Sequence, residues 1–455
     1  MLWEDVMTAW KKFSSAKTLS EIFRLLTWEE IEKLAAVPLF LMMLSPICYF
    51  IYEFRGYGWG DVTFFRDFLR YATVLAVPVI LLCIGKTISD KKPFSVLIKE
   101  NQPMTGFAVL ALLMLFSTVA NGLTKYAVYG FFHNESVFHY LEYIFVFYFS
   151  GALIKNTKIK KWYLRIFLMI GIFFAVASLL DYYCFPIAQF RDASIEWKVH
   201  AIFSNSNHYG YYLVMVILFS SGAYIADTSR KWKIFYFLSF FINSVVLVLN
   251  DAFGAFLACV VGLLFQIIVL WILQHRFSRE SAVLLMIFLA VFFIMSIWYH
   301  TIFSNFSTLF QDIRDIQENN EGSGDSNAVR WKLWVKTVEL IQEKPLLGWG
   351  AEGITDILDI TCDEYRTHNE FLQYAAFFGI PGGICYIISN VMVFLHGLKY
   401  RKQLDLWTTV MLIASLGYLA SSFVGNSKIY VTPFFFTILG LGTGIRHQQE
   451  MPGEK

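Results

Sequence analysis

"THNEFLQYAAFFGIPGGICYIISNVMVFL", Thr367 to Leu395, decides the fold class. From Phe371 to Leu395 it runs 25 residues without a formal charge, and an apolar segment needs only about 20 residues to cross a bilayer as a helix. Two features are odd for such a helix: it opens on His368-Asn369, and it carries Gly379-Ile380-Pro381-Gly382-Gly383 after about three turns. Thr367 followed by Glu370 fits the capping box Ser/Thr-x-x-Glu, which predicts a helix starting at Thr367 with His368 in its first turn. The positive end of a helix disfavours an imidazolium and attracts anions, so His368 there would stay neutral beside a phosphate, as a base. A plain interfacial histidine is the alternative. A proline removes a backbone donor and glycines permit a bend. Broken backbone in lipid must be covered by protein or water, so the break suggests either a cavity open to the outer leaflet or a packing kink.

The rest of the chain agrees with a membrane protein. Of 455 residues, 57% are hydrophobic and 16% charged, and a soluble protein that apolar would expose large adhesive patches. The net charge of +2 says little about acidic partners, whereas the distribution of the positive charges along the chain is informative. Six cysteines lie mostly within apolar segments without a CxxC pair, which reads as packing and gives neither disulfides nor metal ligands.

About twelve segments are long and apolar enough to span: 35 to 53, 68 to 86, 104 to 120, 137 to 154, 162 to 184, 209 to 226, 232 to 249, 252 to 273, 282 to 299, 370 to 395, 406 to 422 and 429 to 445. Every second connection is rich in lysine and arginine, as in Lys155, Lys158, Lys160 and Lys161, or Lys399, Arg401 and Lys402. The alternate ones carry few, such as Lys125 alone or Lys428 alone. That bias predicts cytosolic N- and C-termini. The chain then divides into a cytosolic amphipathic segment (1–34), helices 1–9 (35–299), an extracytoplasmic connection (300–367), helices 10–12 (368–445) and a cytosolic tail (446–455). No cleavable signal is expected, since five basic residues precede the first long apolar run.

The long outer connection begins acidic and Gly-rich (Asp315 to Asn327) and continues as "AVRWKLWVKTVELIQEKPLLGWG". Trp331, Trp334, Val338 and Ile341 recur at helical spacing, predicting an amphipathic helix that Pro345 and Gly348 end.

His368-Asn369, nine residues, Gly379, two residues and Gly382 together resemble the signature of the bacterial O-antigen ligase and O-antigen polymerase superfamily. Arg330 with Pro345–Gly350 after it is similar to the same pattern, as is "KVHAIFSNSNHYGYYL", Lys198 to Leu213. The order of these motifs and the twelve spans extend the resemblance over nearly the whole chain. Departures exist: Lys198, Ala201 and Ser206 stand where arginine, glycine and proline are common, and Phe253 stands where many relatives carry arginine.

The resemblance implies an all-α, multi-pass glycosyltransferase of GT-C-like architecture in the bacterial plasma membrane. It would take a glycan from an undecaprenyl-diphosphate carrier at the outer face and pass it to a hydroxyl on an acceptor glycan or lipid, without metal or cofactor. A chain-length regulator would be a further partner; nucleic acid would not. In that frame His368 is the general base and Arg330 a bidentate phosphate clamp, or else an interfacial anchor beside Trp331. Lys198 and Arg366 are further cations, each also readable as a solvated loop charge. Asn369 would orient sugar or loop. Glu142, with His139, and Asp181 lie near outer helix ends, and either line the site or are satisfied locally. Asn207 either binds substrate or caps the sixth span.

The shorter outer loop and the missing arginine favour a polymerase of repeat units over a ligase of finished chains. A transporter is the competing class. It would place charges at mid-bilayer and show repeated halves, neither of which the sequence displays.

Overall fold

The structure, a computed structural model, describes residues 18–54, 61–91, 105–130, 135–185, 199–203, 205–275, 278–299, 327–362 and 364–444, with the single positions 12, 14, 15, 187, 310, 311, 314 and 318. Lys198, the acidic start of the outer connection before Asn327 and the tail after residue 444 lie outside the described residues.

Among the described residues the chain is helical and has no strand. After the short α1 (Leu19–Leu25) come α2 (Trp28–Met43), α3 (Ser45–Phe54), α4 (Asp61–Ser89), α5 (Thr105–Ala120), α6 (Lys125–Tyr129), α7 (Val137–Leu153) and α8 (Thr157–Tyr183). They are followed by α9 (Ser206–Ala226), α10 (Arg230–Asn250), α11 (Phe253–Gln274) and α12 (Arg279–Tyr299). Then come α13 (Asn327–Glu343), α14 (Thr355–Cys362), α15 (Glu370–Lys399), α16 (Leu406–Ser421) and α17 (Thr432–Thr443).

All twelve expected segments are helices. Among the described residues nine helical stretches are long and apolar enough to cross a membrane, and α5, α7 and α17 are shorter apolar helices. The first stretch starts at Trp28, seven residues ahead of the expected boundary. Thr27 and Glu30 cap it reciprocally, Thr27 N–H donating to Glu30 Oε2 (2.8 Å) and Glu30 N–H to Thr27 Oγ1 (3.2 Å).

Burial grades from the centre outward. α9 is apolar on every side and 89% of its span is buried, as a helix without a polar face must be. It packs on α10, α11 and α16. Gly262 and Gly417 allow this closeness, since a Cβ on either would meet Leu218 at 2.5 or 2.1 Å. α4, α11 and α12 are buried over less than half of their spans and leave Leu81, Ile268 and Ile294 exposed where lipid would cover them.

α17 has 12 residues, about 18 Å of helix at the usual rise, short of a hydrocarbon core of about 30 Å. One end is closed by the buried Lys160, whose Nζ donates to Gly444 O (2.5 Å). At the other end non-helical backbone, residues 425–431, bridges from the 3-10 turn Ser422–Val424 to Thr432.

α13 only partly matches its expected stripe. Leu333, Thr337 and Leu340 are its buried face and Ile341 joins them, whereas Trp331 and Val338 are exposed. α13 packs on α15, and that contact selects the face.

Candidate active site

Three segments converge at one end of the bundle: the head of α9, the strap Glu364–Asn369 ahead of α15, and the 425–428 backbone ahead of α17. Each is positioned by local hydrogen bonds. Asn205, not Asn207, caps α9, its Oδ1 accepting from Asn207 N–H (2.7 Å). That corrects the expected cap and turns Asn207 into the pocket lining.

A second correction concerns His368. The N-cap of α15 is Asn369, whose Oδ1 accepts from Leu372 N–H (3.0 Å), so His368 precedes the helix and is not in its first turn. The Thr367–Glu370 capping box does not form. Thr367 Oγ1 donates to Asn369 O (2.8 Å), and the Glu370 carboxylate instead accepts from Tyr386 Oη (2.9 Å) and Tyr418 Oη (3.3 Å). An asparagine at the cap competes well with threonine, and the buried tyrosines hold the glutamate away from the backbone. His368 has φ 49°, in the left-handed region that non-glycine residues seldom occupy.

The three segments enclose a pocket of about 210 Å³. Asn205, Asn207, His208 and Tyr211 line it from α9, Glu364 to Arg366 and His368 from the strap, and Gly425, Asn426 and Lys428 from the third segment. His368 Nε2 lies 3.4 Å from Glu364 Oε2. His208 is buried with Nδ1 3.3 Å from Phe203 O, and its ring sits 5.5 Å from that of Tyr430.

Arg366 is no solvated loop charge. It is 4% exposed and donates to Glu135 Oε2 (2.5 Å), to Glu352 Oε1 (2.6 Å) and to Ser427 O (3.3 Å), tying the strap to three other parts of the chain. Burial opposes its charge, but Glu352 and Glu135 more than offset this and hold its pKa above the ordinary arginine value. Burial also raises the Glu352 pKa, with Arg366 acting against it. Lys428 is 4% exposed. Burial, then repulsion from Arg366, push its pKa down to about 7, against the pull of Glu135, Glu352 and Glu364.

Of the residues expected at the site, the pocket therefore gathers His368, Arg366 and Asn207. Asn369 stands just behind as the helix cap. Arg330, in the first turn of α13, does not line the pocket. Neither does Glu142, which lies 3.9 Å from Arg70 on α4. His139 instead caps its own helix, accepting at Nδ1 from Ser136 N–H (2.9 Å). Asp181 accepts from Ile187 N–H (2.5 Å) and holds the chain beyond α8. Sequence reading missed Glu364, Glu135, Glu352, Asn426 and the role of Lys428. Of these only Lys428 carried a signal, as a lone cation in a connection otherwise poor in positive charge.

Farther along α15 the expected break is present, with Gly379 at φ 78°, ψ 170° inside the helix. The loop after α13 fills the gap: Trp349 N–H donates to Ala376 O (3.0 Å), Gly350 N–H to Phe377 O (2.8 Å), and Ile380 N–H to Pro345 O (2.8 Å). Ser117 Oγ is 2.5 Å from Leu347 O and 2.9 Å from Phe377 O, and Asn121 Nδ2 donates to Gly348 O (3.1 Å). The backbone groups freed by the proline and glycines are thus repaired by protein. Two glycines make the approach possible, since a Cβ on Gly348 would lie 2.5 Å from Gly379 N, and one on Gly379 would lie 2.3 Å from Leu346 O.

No curated protein matches this chain. Residues 238–387 match a family model described as O-antigen ligase, a stretch that runs from α10 through the α13 loop, the strap and the head and break of α15. Over that third of its length the chain is similar to the O-antigen ligase family, and its long apolar helices make it a multi-pass membrane protein.

Proposed function

We propose that the protein transfers a glycan from an undecaprenyl-diphosphate carrier to an acceptor hydroxyl at the outer face of the bacterial plasma membrane, joining repeat units as a polymerase. The observation that carries this reading is His368, held in a left-handed conformation on the lip of a polar pocket, with Nε2 facing Glu364. With the Nε2 proton turned to the carboxylate, Nδ1 is the free acceptor. The acceptor oxygen attacks the anomeric carbon of the donor and its proton passes to His368. The bond from that carbon to the diphosphate oxygen breaks, and the lipid diphosphate leaves with the electron pair. A diphosphate is already a good leaving group, so the protein's tasks are to orient the two substrates and to stabilise phosphate charge. No step of this reaction uses a metal ion.

The helix ends that form the pocket are those the charge bias places outside, which supports an extracytoplasmic site. The deciding experiment supplies purified protein in bilayers with one lipid-linked repeat unit as sole substrate. A ladder of products is expected. Chain growth that requires a second, different acceptor would make the protein a ligase, and no transfer to any hydroxyl acceptor would remove the reading.

A further inference from the structure

The charges around the pocket are unequally matched. Arg366 has two carboxylates and a carbonyl, and Glu364 faces His368. Lys428, buried to the same degree as Arg366 and lining the same pocket, has no ion pair and no hydrogen bond at its ammonium among the described residues. The nearby carboxylates pull on it without touching it, and a buried ammonium that no group contacts calls for an explanation.

Its position is fixed by the backbone and does not follow from a loose side chain. Lys428 N–H donates to Thr432 Oγ1 (2.7 Å), and Lys428 O accepts from Val431 N–H (3.0 Å) and Thr432 N–H (2.8 Å), closing a turn on the head of α17. Tyr418 Oη, 2.8 Å from Thr432 Oγ1, ties that turn to α16. The opposite wall is the head of the 21-residue α9, the positive end of its helix dipole, which favours negative charge.

We propose that Lys428 is the cation that holds a phosphoryl oxygen of the donor in this pocket, and that capture requires its ammonium form. The proposal rests on the donor being a lipid diphosphate, as argued above. The groups facing Lys428 are Arg366, Glu364 and His368 of the strap, Glu135 ahead of α7, Glu352 ahead of α14, and His208 of α9. With the Lys428 pKa pushed down to about 7, a bound anion favours the charged form, so affinity must fall as pH rises through that value. The lysine contribution is the difference between the wild type and an arginine variant that stays charged.

The test uses the full chain in lipid nanodiscs and two probes, farnesyl diphospho-N-acetylglucosamine and the matching farnesyl N-acetylglucosaminide without phosphate. Dissociation constants are measured from about pH 6 to about pH 9, where a diphosphate diester does not titrate. The wild type should bind the diphosphate probe at least about tenfold more tightly than the neutral one at low pH, and lose about tenfold of that affinity by high pH. Lys428→Arg should keep tight binding across the range, and Lys428→Met should lose about tenfold at low pH. Melting of each variant checks folding, and the wild-type pH series needs no variant at all. If Lys428→Met, folded, binds the diphosphate probe as the wild type does, Lys428 is not the phosphate cation and the donor reading stands. If the wild type does not distinguish the two probes, both the donor reading and this role of Lys428 fall.

Discussion

The head of α15 and its break at Gly379 belong to one helix and one stretch of sequence, yet they are built in opposite ways. At the break Ala376 O, Phe377 O and Ile380 N–H find partners in the loop after α13, and glycines let two segments touch where a single Cβ would collide. At the head, charged groups are gathered under little exposure, the Lys428 ammonium has no hydrogen-bond partner among the described residues, and a histidine is held in an unfavourable backbone conformation. A fully satisfied junction is what stability selects. A site left incomplete is what a ligand selects. The contrast assigns the glycine break to architecture and the His368 end to chemistry.

Three substitutions can break or sharpen that division. His368→Asn should lower transfer by about 10³-fold, the scale of a lost general base, with membrane yield and melting unchanged. Normal polymer from that variant would sink the catalytic role. Gly348→Ala should act in the reverse sense. The new Cβ meets Gly379 N and Phe377 O at 2.5 Å at a residue with φ 63°, so stability should fall by about 3 kcal/mol while turnover per folded molecule holds. Loss of turnover in protein that still folds would mean that junction and pocket are coupled. Arg330→Lys should have the smallest effect, under about tenfold in transfer, because Arg330 does not line the pocket. A large loss there would bring the α13 head into the active site.

The fold was legible because hydropathy and charge bias are summed over whole segments, and neither depends on a single contact. The twelve segments and the break at Gly379 follow from that, as does the gathering of polar groups at the expected outer ends. What escaped depends on competition between neighbours. Thr367 and Asn369 are both good caps, and the choice fell to Asn369 because Glu370 is drawn to tyrosines 16 and 48 residues away. Nothing within the strap announces those tyrosines. Arg366 looked like a surface charge because its partners, Glu135 and Glu352, are distant in sequence and have no spacing relation to it. Arg330, conspicuous beside two tryptophans, lies off the pocket for the same reason: local pattern gives the helix, while tertiary packing decides which end reaches the site.

The left-handed backbone at His368 also limits which residues can occupy the position. Asparagine, aspartate, histidine and glycine enter that region readily, and β-branched or bulky side chains do not. Most single changes at 368 would therefore disturb the turn and the imidazole together and confound any rate measured on them. Asparagine is the exception, close in size to the ring and tolerant of the geometry, which makes His368→Asn the cleaner probe of proton transfer. The same restriction narrows drift at this codon, since a replacement must first be sterically admissible before its chemistry is tried.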